Sequence, residues 1–356
     1  MSRPPCCRAF ALLTLAMFLG ACAQLPDRPD LPTQSAIPEG SGSPLDDWFV
    51  ARENEHTGQS GFRLLSSGAE AFVTRAKSAD TAVRSIDVQT YIWHADTTGM
   101  NLVERLLAAA DRGVKVRLLV DDMDARAANV GFAALAAHKH ISVRMFNPFA
   151  SRTGKLRFML EGLGSFSRIN HRMHNKSWIV DNRLAVVGGR NLGDEYFGAS
   201  EDVNFVDLDF GMAGPIVRDA SRSFDKYWNS PAAYPIQVLD PDAVIQEALT
   251  KLRRWLAVNR DEKKLARYAT SVKADEAVHQ LVAGTLPMQW SGHFTFASDD
   301  PLKATMKDKD PSRSQVMTTL APVIVGAQKG VAVISPYFVP GKVGSAGLVK
   351  LAEAGK

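Results

Sequence analysis

The residues best able to do chemistry lie in one stretch. His174, Lys176 and Asp181 fit the pattern H-x-K-x-x-x-x-D, and six residues later Gly188, Gly189 and Asn191 fit G-G-x-N. An imidazole can attack a phosphodiester and hold the phosphoryl group covalently, which splits one hard displacement into two easier ones. An ammonium and an amide N–H then stabilise charge on the non-bridging oxygens. His174 is therefore the candidate nucleophile, with Lys176 and Asn191 as the phosphate clamp. Gly188 and Gly189 let the backbone approach a ligand closely or adopt dihedrals closed to other residues. The scheme requires no metal and no other cofactor. Six specified residues at fixed spacing arise by chance on the order of 10⁻⁸ per starting position.

The elements that position these groups follow from periodicity. Ser177 to Val180 is apolar and partly β-branched, Asp181 and Asn182 are a turn pair, and Leu184 to Val187 is apolar again, which predicts strand, tight turn, strand. Alternation along an extended chain turns His174 and Lys176 the same way and Asn175 the other. Upstream, the spacing predicts helix from Ala69 to Ala82, strand from Ser85 to Trp93 and helix from Gly99 to Arg112. Strand Val114 to Val120, helix Ala125 to Ala137 and strand Ile141 to Phe146 come next. Strands alternating with helices of this length imply an α/β fold whose largely parallel sheet is flanked by helices. Downstream, Phe205 to Ala213 reads as a strand with Asp207 and Asp209 on one face, followed by helices Val217 to Trp228 and Ala243 to Ala257. Residues 263–279 read as surface helix or loop, and 303–314 as solvated.

Other groups are weighed and set aside. Asp121, Asp122 and Asp124 follow a strand, where carboxylates can hold a hard cation. Asp collects at such turns more ordinarily for local hydrogen bonding, so no metal is expected. His171 and His174 have no third His or Cys at a zinc-like local spacing. Between Arg152 and Arg172, cations interleave with Leu156, Phe158, Met159, Leu160, Leu163 and Phe166. That mixture suits either a lipid headgroup boundary or a loop packed over the site.

The start of the chain reads as targeting. Arg3 and Arg8 precede an apolar run from Phe10 to Leu19, too short to span a bilayer but suited to a secretory signal. Leu19, Gly20, Ala21 and Cys22 form a lipobox, with Cys22 as the lipidated mature N-terminus. Ala23 rather than Asp after that cysteine points to the outer membrane and a periplasm-facing domain. Cys6 and Cys7 would leave with the signal, so no disulfide is available. Residues 23–44 hold five prolines and a Gly-Ser run, which suits a semi-rigid tether without a core of its own. The net charge is +4, and without Arg3 and Arg8 it falls to +2. Such mild basicity argues against a nucleic-acid binder, whose affinity comes largely from phosphate neutralisation.

The motif from His174 to Asn191 resembles the HKD motif of the phospholipase D superfamily. The segments 61–65, 189–197, 299–301 and 335–340 sharpen the likeness toward bacterial cardiolipin synthases, in particular a cardiolipin synthase C-like branch. The resemblance implies catalytic roles for His174, Lys176 and Asp181, and contacts to substrate from Gly189 and Asn191. By position it assigns Asp207 to hold the imidazole tautomer, with Asp209 as the alternative. Asp181 can equally tie the turn and its strands together. Family members carry two such motifs, one His attacking phosphorus and the other protonating the leaving alcohol. This chain has one, and residues 331–355 repeat the strand, loop, helix and Gly stop of 86–113. The expected organisation is a signal peptide (1–21), a lipidated linker (22–47), a first phospholipase D-like domain (48–235), a helical and loop connection (236–315) and the start of a second domain, cut short (316–356). The resemblance implies a phosphatidyltransferase that makes cardiolipin from phosphatidylglycerol and a second phospholipid, such as phosphatidylethanolamine, at a membrane surface. The second motif would come from a missing C-terminal half or a second chain, and this chain by itself is expected to be inactive or weak. A phospholipase D-type phosphodiesterase or dimeric nuclease and a lipid-tethered binding protein without turnover remain as alternatives.

Overall fold

The computed structural model describes residues 25–122, 131–150, 172–282, 287–304, 314–334 and 338–356. The predicted signal, Cys22, Asp124, His171 and the cation-rich run 152–168 lie outside these. The chain divides into two units, residues 1–296 and 297–356.

The first unit is built on a nine-stranded mixed sheet in the order β8-β4-β3-β2-β5-β6-β7-β1-β9. In chain order come α1 (Pro44–Glu55), β1 (Ser60–Leu65), α2 (Gly68–Thr81), β2 (Ser85–Thr90), α3 (Thr97–Asp111), β3 (Lys115–Asp121), α4 (Phe132–Ala136) and β4 (Ile141–Phe146). Then follow β5 (Ser177–Val180), β6 (Leu184–Gly188), α5 (Asp194–Phe197), β7 (Asp209–Ala213), α6 (Pro215–Trp228), β8 (Ala233–Pro235), α7 (Ile236–Leu239), α8 (Gln246–Val258), α9 (Glu262–Lys273), α10 (Glu276–Val282) and β9 (Gln289–Ser291). β2, β3 and β4 pair in parallel, while β5, β6 and β7 continue the sheet antiparallel. The α/β architecture with helices flanking one sheet is the one expected, but the sheet is mixed instead of largely parallel: only β2–β3 and β3–β4 pair in parallel, and the remaining pairings are antiparallel.

Alternation along the strands sends side chains to two cores. Ile86, Val88, Val116, Leu118, Trp178 and Val186 pack with the apolar stripes of α2 and α3. Leu119, Ile179, Ala185 and Met212 face the other way, onto Ile216, Val217, Phe224 and Trp228 of α6. That second face also buries charge. Arg117 is paired with Asp87 (2.6 Å) and Asp225 (2.9 Å) and lies 4.8 Å from the Phe224 ring centroid.

The β5–β6 hairpin that carries the motif turns where the sequence placed it. Asp181 and Asn182 both have positive φ, 51° and 55°, a conformation short polar side chains tolerate better than most. Elsewhere the structure departs from expectation. Residues 205–208 lie outside β7, Asp207 half-buried and its neighbours exposed, so Asp207 is not a strand residue; strand pairing begins at Asp209, opposite Gly188. The linker gives way at Pro44 to α1, whose start is fixed by a capping box between Ser43 and Asp46. Residues 28–40, lacking a core of their own, lie fastened against the domain by hydrogen bonds. Residues 263–279 do form surface helix as expected, α9 and α10 being anchored by the buried Tyr268 and Val278.

The second unit holds α11 (Gln315–Val325) and α12 (Gly341–Glu353). Residues 331–334, read as the start of a strand, are irregular and have no strand partner among the described residues, as expected of an extended segment whose backbone groups find no ladder. Among the described residues no helix is long and apolar enough to cross a membrane.

Candidate active site

His174 and Lys176 sit just before β5, at the end of the sheet where β2 and β3 also terminate. The approach to them is fixed from β3. Asp121, fully buried, accepts from Met173 N (2.9 Å) and from Arg172 Nη1 (3.3 Å). Arg172 also donates to Asn147 O (3.0 Å) and stacks over Phe149. The Asp122 carboxylate accepts from Phe149 N (2.8 Å). Of the three carboxylates considered for a metal, Asp121 thus fastens the lead-in to His174 and Asp122 the loop at Phe149, because a carboxylate at a strand end can satisfy the orphan N–H groups of a crossing segment.

Lys176 Nζ lies 3.0 Å from His174 Nδ1 and donates to His174 O at 2.8 Å. The Tyr91 ring packs on both, 5.1 Å from the imidazole and 5.5 Å from Nζ. Lys176 is 5% exposed while His174 opens to solvent. Burial pushes the Lys176 ammonium down to about 8, against the pull of Asp207, Asp121 and Asp209. Desolvation and the Lys176 charge also hold the imidazole below its ordinary value, with Asp207 acting the other way. A neutral imidazole beside an ammonium that can stabilise phosphate charge is a pairing suited to attack on phosphorus.

The remaining motif residues separate by role. Asn191 Oδ1 accepts from Ile92 N (3.1 Å), which leaves its amide NH₂ as the end able to meet an anion. Gly188 and Gly189 have ordinary φ; what they permit is close approach by carboxylates. A Cβ on Gly188 would fall 2.1 Å from Asp209 Oδ1, and one on Gly189 2.1 Å from Asp207 Oδ1. Gly189 N donates to Leu208 O (3.1 Å), which ties it to the 207–209 segment. Asp207 acts on His174 and Lys176 through its charge, and its carboxylate accepts from Leu208 N (2.8 Å). It makes no hydrogen bond to the imidazole, so the predicted tautomer-holding contact is not formed here. Asp209 is fully buried, bonded to Arg75 Nη2 (2.9 Å) and Arg190 N (3.2 Å).

Asp181 stands at the opposite end of the hairpin from His174. Its carboxylate accepts from Val83 N, Arg84 N and Ser85 N at 3.0, 2.7 and 2.9 Å. Of the two roles read for Asp181, these bonds serve the second: it ties the β5–β6 turn to the start of β2. Sequence reasoning missed Tyr91, Arg75 and Arg190. Arg190 lay inside the motif as its unspecified position, but Tyr91 and Arg75 carried no local signal.

Among the described residues, His94, Asp96 and Glu195 present ligand atoms within 4.8 Å of one another and could hold a metal. They also satisfy each other and the backbone: His94 Nδ1 pairs with Glu195 (2.9 Å), and Asp96 caps α3 and accepts from Asp194 N (2.7 Å). Burial, with Asp194 and Glu195 nearby, raises Asp96 to about 6.

Residues 75–228 match the family described as "Cardiolipin synthase, PLD-like domain". The chain is 38% identical over 307 residues to cardiolipin synthase C of Escherichia coli, covering 85% of this chain and 62% of that protein. It is 29% identical over 338 residues to an uncharacterized protein of Helicobacter pylori, covering 94% and 65%. The chain thus spans somewhat under two thirds of the length of these relatives. Among solved structures it is similar to a phospholipase D family member, Nuc from Salmonella typhimurium, at 18% identity and a TM-score of 0.34 over 49% of this chain and 97% of that one.

Proposed function

As the chain belongs to the phospholipase D-like cardiolipin synthase family, we propose that it is a phosphatidyltransferase working through a phosphatidyl-histidine at His174. An imidazole nitrogen attacks the phosphorus of phosphatidylglycerol or phosphatidylethanolamine, and the bond to the headgroup oxygen breaks. The departing alcohol takes a proton from a second acid. The hydroxyl of a phosphatidylglycerol then displaces His174, passing its proton back, and cardiolipin results. The second acid is the counterpart motif, from further chain of the kind the longer relatives have or from a second copy. Lys176 moves its donation from His174 Nδ1 to a phosphate oxygen as substrate enters. The observation that carries this reading is the 3.0 Å contact between Lys176 Nζ and His174 Nδ1 inside a motif complete through Asn191. The protein is proposed to work from the bacterial envelope, anchored by lipid on Cys22 and facing the periplasm.

The test is mass spectrometry of lipids from cells lacking cardiolipin that express this chain alone or extended by a second motif half. Cardiolipin from the extended form supports the synthase, and cardiolipin from the 356-residue chain means that two copies build the site. Phosphatidic acid without cardiolipin would move the reading to hydrolysis, and plasmid cleavage in chelator with neither lipid product would move it to a nuclease.

A pH profile follows from the two shifts. The clamp needs Lys176 charged, so kcat/KM is expected to fall as pH rises through about 8. The nucleophile needs a neutral imidazole, so activity falls as pH drops through a value below 6.5. Lys176→Arg keeps its charge at high pH and should remove the alkaline limb, whatever it costs in rate. An alkaline limb unchanged in that variant would rule Lys176 out as its source.

A further inference from the structure

Residues 28–40 run alongside α6 in the opposite direction. Arg28 Nε donates to Ala233 O (3.0 Å), Trp228 Nε1 to Gln34 Oε1 (2.7 Å), and Asn229 Nδ2 to Gln34 O (2.7 Å). Ala36 N donates to Asp225 Oδ2 (2.8 Å), and Glu39 pairs with Arg218 (2.6 Å) and Arg183 (2.8 Å). The Glu39 end therefore lies at the Asp181–Arg183 turn, far from the site. The Arg28 end lies at the same end of the sheet as His174: Ala232 O accepts from Asn147 N (2.8 Å), and Asn147 O accepts from Arg172 (3.0 Å), two residues before His174.

We propose that this segment is a strap that turns the His174 end of the domain toward a phospholipid bilayer. The inference rests on the lipid anchor proposed at Cys22. Six positions separate Cys22 from Arg28, and six residues reach at most about 20 Å. Were the chain free up to Gly40, its eighteen residues would reach about 60 Å and leave every face of the domain free to approach the lipid. Fastened at Arg28, the domain meets the bilayer with its catalytic end, where a reaction on lipid phosphates requires it.

The experiment uses the full chain, lipidated in a bacterium and placed in phosphatidylglycerol–phosphatidylethanolamine vesicles bearing a headgroup-linked acceptor dye. A donor dye is attached through an azido residue at Asn204, exposed at the His174 end, or at Thr57, exposed at the other. Energy transfer from position 204 is expected to exceed that from 57 at least twofold. A flexible twenty-residue Gly-Ser insertion after Asp27 leaves the strap bonded but lengthens its lead, and should bring the two values together. Equal transfer in the unaltered chain, stronger transfer from 57, or a difference that survives the insertion would overturn the strap. The mass of the N-terminal peptide reads the anchor separately. If Cys22 carries no lipid, the anchoring proposal fails, and the same comparison with Cys22 coupled to a maleimide phospholipid still decides whether the strap orients the domain.

Discussion

Replacing His174 by alanine is expected to lower phosphatidyl transfer in the two-motif assembly by roughly 10⁴-fold or more, the scale seen when a covalent nucleophile is removed. The loss should fall on kcat, because the imidazole adds little to ground-state binding of a lipid held by its phosphate and chains. The fold should be untouched. His174 opens to solvent and its ring meets only Tyr91 and Lys176 among the contacts described above, so stability should change by less than about 0.5 kcal/mol. Rapid-quench mass spectrometry would find a phosphatidyl adduct on the peptide containing His174 in the unaltered enzyme and none in the variant. Persistence of full transfer in His174→Ala would reject the nucleophile and with it the covalent mechanism. Loss of transfer accompanied by a lowered unfolding midpoint would mean that the ring was structural.

Asp181→Ala should do the reverse, damaging the fold before the chemistry. Three backbone N–H groups, those of Val83, Arg84 and Ser85, donate to its carboxylate, which has no exposure to solvent. Removing that acceptor strands buried donors, each worth about 1–3 kcal/mol, and some relaxation toward water will offset part of the cost. A loss of about 3–5 kcal/mol is expected, comparable to breaking a buried charged partnership. Against a domain stability of about 5–15 kcal/mol, this brings the first unit near its unfolding threshold. Urea titration followed by circular dichroism measures it directly. Asp181→Asn, keeping one carbonyl acceptor, should lose markedly less. A variant with unchanged stability and no activity would return Asp181 to the catalytic set.

The two substitutions separate residues that one sequence motif holds seven positions apart. An extended hairpin explains how: β5 carries the chain from His174 at one end of the sheet to Asp181 at the other. A motif can therefore record a fold requirement and a chemical one together, and spacing alone does not say which residue serves which.

What the sequence determined by itself was local. The periodicities of α3 and α6, the turn at Asp181 and Asn182, and the company of His174 and Lys176 were all legible, since each depends on residues within a turn, a strand or a hairpin. Strand residues 205–208 were misread for a related reason. Their alternation is real, yet a strand also needs a partner, and Gly188 offers the last one at Asp209. The same lack leaves 331–334 irregular. Only the tertiary structure decided that Asp121, 52 positions from Met173, fixes the approach to the nucleophile, or that Arg75 reaches Asp209 across 134 positions. It alone showed a proline-rich lead strapped to α6. Such contacts leave no periodic trace, because they join groups whose sequence separation is set by chain topology, and burial of a charge is satisfied by whatever partner the fold delivers.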